Sequence, residues 1–238
     1  MIPEIHATSI PVGPIVLHPF GLLLVAGIIA AHTALVRRAR ARAVASARVI
    51  EGFAIALGAG GLLVSLVFDR LHGSLGSLPA ASGALVAGAI YGASFRLDLL
   101  ELGDLAAWSF PFGWAFARLG CALVHDHLGP LSSSWLAVRF GAGSRLDLGL
   151  IEWLLVPVLF AAVEIARRTR RPGAMAGALA SVYALIRFPL DFLRESDARL
   201  RGLTAAQWGT LPLFAAGVVL LGIVFTRAAR PTRVSLEE

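Results

Sequence analysis

The sequence predicts an all-α integral membrane protein, a bundle of about seven transmembrane helices with a small outer-face head segment. Three observations predict it. Hydrophobic residues make up 57% of the 238 positions and charged residues only 15%, with a mean hydropathy of +0.77, whereas soluble domains carry about a quarter charged residues. The apolar stretches run long and unbroken instead of alternating, which favours helices over a lipid-embedded barrel. The segments between them are too short for a soluble domain of their own, so residues 1–238 read as one transmembrane domain.

The expected spans, in order, are 17–36, 50–68, 80–95, 104–124, 149–166, 174–193 and 207–226. Each approaches the roughly 20 apolar residues that cross a bilayer. The third is short and carries SGALVAGAIYG, whose small residues suit close helix packing. The longest connection, 125–148, includes SSSWLAVRF, which alternates enough for a short strand or an interfacial flap. The opening MIPEIHATSIPVGP has neither a basic n-region nor a short apolar core, and is not expected to be a cleaved signal peptide.

All 21 basic residues are arginine, and the formal charge is +6. Their placement between apolar runs speaks for topology and against nucleic acid. Seven spans put the termini on opposite sides. One side collects Arg37, Arg38, Arg40, Arg42, Arg48, Arg96, Arg167, Arg168, Arg170, Arg171, Arg227, Arg230 and Arg233. The other holds Arg70, Arg139, Arg145, Arg194, Arg199 and Arg201. The richer side is expected in the cytoplasm, with the C-terminus, leaving the N-terminus and the 125–148 segment outside.

Charge inside a span is costly and marks function by default. Arg118 begins RLGCALVHDHLG; helical spacing puts Arg118, Cys121 and His125 on one face, with Asp126 and His127 following. Three readings apply: an interfacial arginine with histidines in a wet loop, a metal site from Cys121, His125, Asp126 and His127, or a phosphate-gripping and acid–base cluster. The C-x3-H-D-H spacing matches no zinc signature, and neither metal nor cofactor is expected. In RLDLGLIE, Asp147 suits a helix N-cap, while Glu152 should lie deeper. In SVYALIRFPLDFLRESD, Arg187 and Asp191 stand four apart and can pair, Arg194 continues their side, and Pro189 should bend the helix. In GLTAAQWGTLP, Thr204 and Gln207 have the spacing of a capping box.

Together, in this order, these stretches resemble the prolipoprotein diacylglyceryl transferase family of bacterial inner membranes. Its signature G-R-x-G-N-F-x-N-G-E-x-x-G stands here as ARLGCALVHDHLG. Its Y-G-x-x-R-F-x-x-E-F-x-R-x-P-D stands as YALIRFPLDFLRESD, its G-L-T-x-G-Q-x-x-S-L-P as GLTAAQWGTLP, and its H-P-S-Q-L-Y-E as RLDLGLIE. The resemblance covers about 17–226. It implies transfer of diacylglyceryl from phosphatidylglycerol to the lipobox cysteine of a preprolipoprotein, with release of glycerol 1-phosphate. It assigns Arg118 and Arg187 to the lipid phosphate, with Cys121, Gly129 and Arg194 beside the substrate. It puts Asp126, Glu152 and Asp191 at acidic motif positions.

The sequence also departs from that pattern. Cys121 and Val124 replace asparagines, Ser82 stands where the family has a histidine considered as catalytic base, and Phe20 replaces a tyrosine. His125 and His127 are additional, and one of them is expected to supply the missing base. A catalytically silent or substrate-altered relative that binds phospholipid or lipoprotein is the alternative. A small transporter fits less well, because no repeated half with broken helices is visible.

Overall fold

The computed structural model describes residues 1–5, 7–72, 77–141, 143–195 and 198–226. Arg227, Arg230 and Arg233, part of the topology argument, lie outside the described residues. The described chain is mostly helical: α1 Pro19–Ala41, α2 Ala47–His72, α3 Ser77–Ser94, α4 Leu99–Val124, α5 Leu148–Leu154, α6 Val156–Arg168, α7 Ala174–Leu190 and α8 Ala205–Thr226. The short strands are β1 Ile2–Pro3, β2 Ile10–Val12, β3 Ile15–Leu17, β4 Leu128–Leu131, β5 Ala137–Phe140, β6 Gly143–Asp147, β7 Arg199–Leu200 and β8 Leu203–Thr204.

Five helical stretches are long and apolar enough to cross a membrane: Pro19–Ala41, Ala47–Arg70, Leu148–Arg168, Ala174–Leu193 and Ala205–Thr226. The third expected span is a shorter apolar helix. The fourth, α4, carries Glu101, Asp104 and Arg118 along its length and is not among the five. Large apolar side chains on the outer helices, among them Ile28, Ile55, Leu63, Val86 and Val219, stand exposed, far more than a soluble monomer tolerates. Polar groups such as Glu152, Arg187, Asp191 and Gln207 are buried instead.

The expected boundaries shift in three places. α1 runs on to Ala41, because nothing in LVRRARA breaks a helix. The span expected at 149–166 is two helices meeting at Leu155, just before Pro157, whose ring nitrogen donates no hydrogen bond. Pro189 lies inside the last turn of α7, which ends at Leu190, and the chain then tightens into a 3-10 turn, Asp191–Leu193.

α4 is central and packs against α1, α3, α5, α6 and α7. The small-residue pattern of α3 does what its sequence suggests. A Cβ on Gly83 would lie 2.2 Å from the Gly60 carbonyl oxygen, so α2 and α3 touch backbone to backbone. At one end of the bundle the 125–148 segment folds into a sheet of order β1-β5-β6-β4. β5 holds the strand expected in SSSWLAVRF, and β1 joins it in parallel from the N-terminus. β4 pairs with β6 across Leu128 and Asp147, and the Leu148 amide donates to the His127 carbonyl at 2.9 Å. The sheet thereby fixes the HDH segment beside the start of α5.

Candidate functional site

Three motif-bearing helices meet at one buried carboxylate. Asp147 is the N-cap of α5: one side-chain oxygen accepts from the Leu150 amide at 3.0 Å and the other meets His125 Nδ1 at 2.6 Å. His125 is the C-cap of α4, in the left-handed region at φ 51°. The expectation that His125 shares a helical face with Arg118 and Cys121 is thus corrected: the helix has ended, and the ring is committed to Asp147. Histidine is among the non-glycine residues that tolerate this conformation.

The lock between the end of α4 and the start of α5 sets where Glu152 falls. It is 4% exposed and forms ion pairs with Arg118 Nε at 2.8 Å, with Arg187, and with Arg194 at 3.4 Å. Asp191 completes the group, meeting Arg187 at 2.9 Å and Arg194 at 3.0 Å. The 3-10 turn after α7 brings Arg194 back onto Asp191. From the end of β8, just before α8, the Thr204 hydroxyl donates to Asp191 at 3.5 Å. The expected capping box is present: the Thr204 amide donates to Gln207 Oε1 at 2.9 Å and the Gln207 amide donates to Thr204 Oγ1 at 3.1 Å. Gln207 Nε2 also donates to the Phe188 carbonyl, tying α8 to α7.

Among the described residues the cluster brings together three guanidiniums and two carboxylates. Burying charge is tolerable only with such pairing, and removing one member leaves the others exposed to a large desolvation penalty.

Two aromatic residues belong to this site and were missed in the sequence. Arg118 lies over the Trp114 ring, 4.0 Å from its centroid, and Trp114 meets Tyr183 edge-on at 5.4 Å. Each precedes a site arginine by four residues on the same helix, a spacing that brings side chains together and could have revealed them. With Glu152, Arg187, Leu155, Leu159 and Ile186 they line a small cleft that is apolar save for Glu152 and Arg187.

Cys121 is buried, and Arg118 Nη1 donates to its sulfur at 3.7 Å. Beyond it, His127 Nδ1 contacts Asp126, and ligand atoms of Cys121, Asp126 and His127 lie within 4.8 Å of one another. These three are the described residues able to hold a metal ion together; His125 is not one of them. Gly129 is buried in β4, where a Cβ would lie 3.3 Å from the carbonyl oxygens of Leu146 and Leu193. Ser82 donates to the Pro79 carbonyl within α3. Phe20 packs on α4 at Gly120, next to Cys121.

Gly149 makes the close approach of α5 to α4 possible. A Cβ there would lie 2.9 Å from both the Ala122 nitrogen and the Cys121 Cβ. Backbone cannot rotate away, so Gly149→Ala is expected to cost about 1–3 kcal/mol by overpacking. The thermal unfolding midpoint in detergent would fall by several degrees; an unchanged midpoint would mean that the helices are free to separate there.

The apolar exterior, the five crossing-length helices and the buried guanidinium–carboxylate cluster define a multi-pass membrane protein with a polar site inside its helix bundle. The sequence model of one family, prolipoprotein diacylglyceryl transferase, matches residues 7–223. Curated relatives named phosphatidylglycerol–prolipoprotein diacylglyceryl transferase include one from Chromohalobacter salexigens, 27% identical over 92% of each chain. One from Rhizobium leguminosarum bv. trifolii is 28% identical over 98% of this chain and 95% of its own. One from Francisella tularensis subsp. holarctica is 24% identical over 96% of both. The chain belongs to the prolipoprotein diacylglyceryl transferase family, a family of bacterial membrane transferases.

Proposed function

We propose that this protein transfers diacylglyceryl from phosphatidylglycerol to the lipobox cysteine thiol of a preprolipoprotein. The observation that carries the reading is the convergence of Arg118, Arg187 and Arg194 in one buried cluster beside an apolar cleft. A phosphodiester supplies one negative charge, and a guanidinium grips phosphate with two parallel hydrogen bonds. Arg118 and Arg187 take the lipid phosphate, sharing Glu152 between them, while Arg194 and Asp191 set the angle of Arg187. Trp114 and Tyr183 flank the lipid below its headgroup. Cys121 holds Arg118 in place, and Gly129 lets the head sheet pack close above.

In the reaction the thiol gives up its proton, the sulfur forms a bond to the terminal glycerol carbon of the diacylglyceryl unit, and the bond from that carbon to the phosphate oxygen breaks. Glycerol 1-phosphate leaves with the electron pair. The arginines offset the charge gathering on the leaving phosphate, an electrostatic effect strengthened by low dielectric. His127, oriented by Asp126 and adjacent to Cys121, takes the thiol proton. His125 is held on Asp147 and serves the fold.

The proposed topology follows the arginine distribution: seven crossings of the bacterial inner membrane, the N-terminus outside, the C-terminus in the cytoplasm, and the 125–148 sheet as an outer-face head within one domain. The site then opens toward the leaflet surface from which a translocated lipobox arrives.

The purified chain in phosphatidylglycerol micelles is expected to add a diacylglyceryl thioether to a lipobox peptide, read by mass spectrometry. Lipid bound without product would instead identify a silent binder. Arg187→Lys keeps the charge and loses the fork, so lipid affinity is expected to fall about tenfold, one charge-assisted hydrogen bond's worth. Wild-type affinity in that variant would assign Arg187 to structure alone.

A further inference from the structure

A second concentration of arginines lies at the other end of the bundle. From Asp104 to Arg118 along α4 is 14 residues, about 21 Å at the helical rise. There the last turn of α1, the first turns of α4 and the α6–α7 connection form a half-open concavity with a cavity volume of about 30 Å³. Arg38, Arg42, Arg167, Arg170 and Arg171 line it, against two carboxylates, Glu101 and Asp104.

The carboxylates are already engaged. Asp104 accepts from the Gly173 and Ala176 amides at 2.9 Å each, capping the start of α7 from a neighbouring helix. Glu101 reaches Arg42 only at 3.8 Å. Among the arginines, Arg167 is held by Glu164, and Arg171 donates to the Val224 and Phe225 carbonyls. Arg38 is different: its guanidinium lies 4.6 Å from the Trp108 ring centroid and donates to Met175 Sδ at 3.5 Å. Those contacts fix its position, while Asp104 and Glu164 act on its charge from a distance, without an ion-pair contact to it among the described residues. Arg170 sits at φ 57° in the turn, where it lines the same concavity.

Arginines that only set topology need point nowhere in particular. Here they line one concavity, with Arg38 half-buried and Arg42 and Arg170 exposed. We infer that this concavity is a second anion site, taking a phosphate group through Arg38, Arg42 and Arg170. Basic pockets between transmembrane helices bind lipid headgroups in this way. The phosphate belongs either to an anionic lipid of the leaflet opposite the transfer site or to a free phosphate ion.

The test uses the full chain in neutral detergent. Thermal stabilisation is titrated with inorganic phosphate and, separately, with dihexanoyl phosphatidic acid. The variant Arg38→Gln/Arg42→Gln/Arg170→Gln is compared with Arg37→Gln/Arg168→Gln, whose arginines neighbour the concavity without lining it. Anion binding at Arg118 and Arg187 is common to both, so the difference isolates the second site. About tenfold weaker response to phosphatidic acid alone supports a lipid headgroup, and equal weakening in both titrations supports the phosphate ion itself. Identical titrations for the two variants overturn the inference. Should the triple variant fail to fold, Arg170→Gln against Arg168→Gln decides in the same way, since both side chains are exposed. Peptide transfer is expected at the wild-type rate in the triple variant. A wild-type chain without transferase activity would undo the proposed function and leave this inference standing.

Discussion

Glu152→Ala is expected to be the most damaging single substitution, lowering stability by about 3–5 kcal/mol, the cost of deleting one partner of a buried ion pair. The wild-type carboxylate meets Arg118, Arg187 and Arg194 at once. Its loss leaves three guanidiniums facing Asp191 as the remaining acid of the cluster among the described residues. Glu152→Gln keeps an acceptor and loses the charge, so its loss should be intermediate. An anionic lipid supplies the missing negative charge, so phosphatidylglycerol is expected to stabilise Glu152→Ala more than it stabilises the wild type. Unfolding midpoints measured with and without the lipid check this. Equal lipid stabilisation in both proteins would show that phosphate does not enter the cluster.

Much of this cluster was legible because its pairs are local. Arg187 with Asp191, Asp147 with the Leu150 amide, and Thr204 with Gln207 are helical spacings or cap patterns, set within one element and readable without knowing what packs on it. By helical spacing Glu152 was legible only as a misfit, an acid too deep for a cap, while the family resemblance put it at an acidic motif position. Its three partners come from α4, α7 and the turn after α7, and that meeting is decided by packing. Arg194 depends on the 3-10 turn after Pro189, where a bend was the expectation. His125 escaped because periodicity continues a helix that the αL residue ends. The helix positions were readable from hydropathy, while the break at Leu155 followed from a proline whose effect depends on which carbonyls it faces.

His127→Ala is expected to lower the rate of peptide transfer about 10²–10⁴-fold, the range that a positioned general base contributes, with phosphatidylglycerol affinity unchanged. The two histidines differ in what holds them. His125 Nδ1 is bound to fully buried Asp147, which also caps α5, and its ring meets Phe140 edge-on at 5.1 Å. It links α4, α5 and the head sheet, so His125→Ala should lower the unfolding midpoint while the folded fraction retains transfer. His127 stands on the more exposed Asp126, with a ring nitrogen within 4.8 Å of the Cys121 sulfur to which Arg118 donates. A neutral imidazole oriented by a carboxylate is the arrangement that accepts a proton and stabilises the charge it gains. Asp126→Asn should therefore reduce transfer less than His127→Ala does, and added imidazole should restore part of the activity to His127→Ala and none to Arg187→Lys. Turnover undiminished in His127→Ala, with His125→Ala inactive though folded, would reverse the two roles and make the buried His125–Asp147 pair the base.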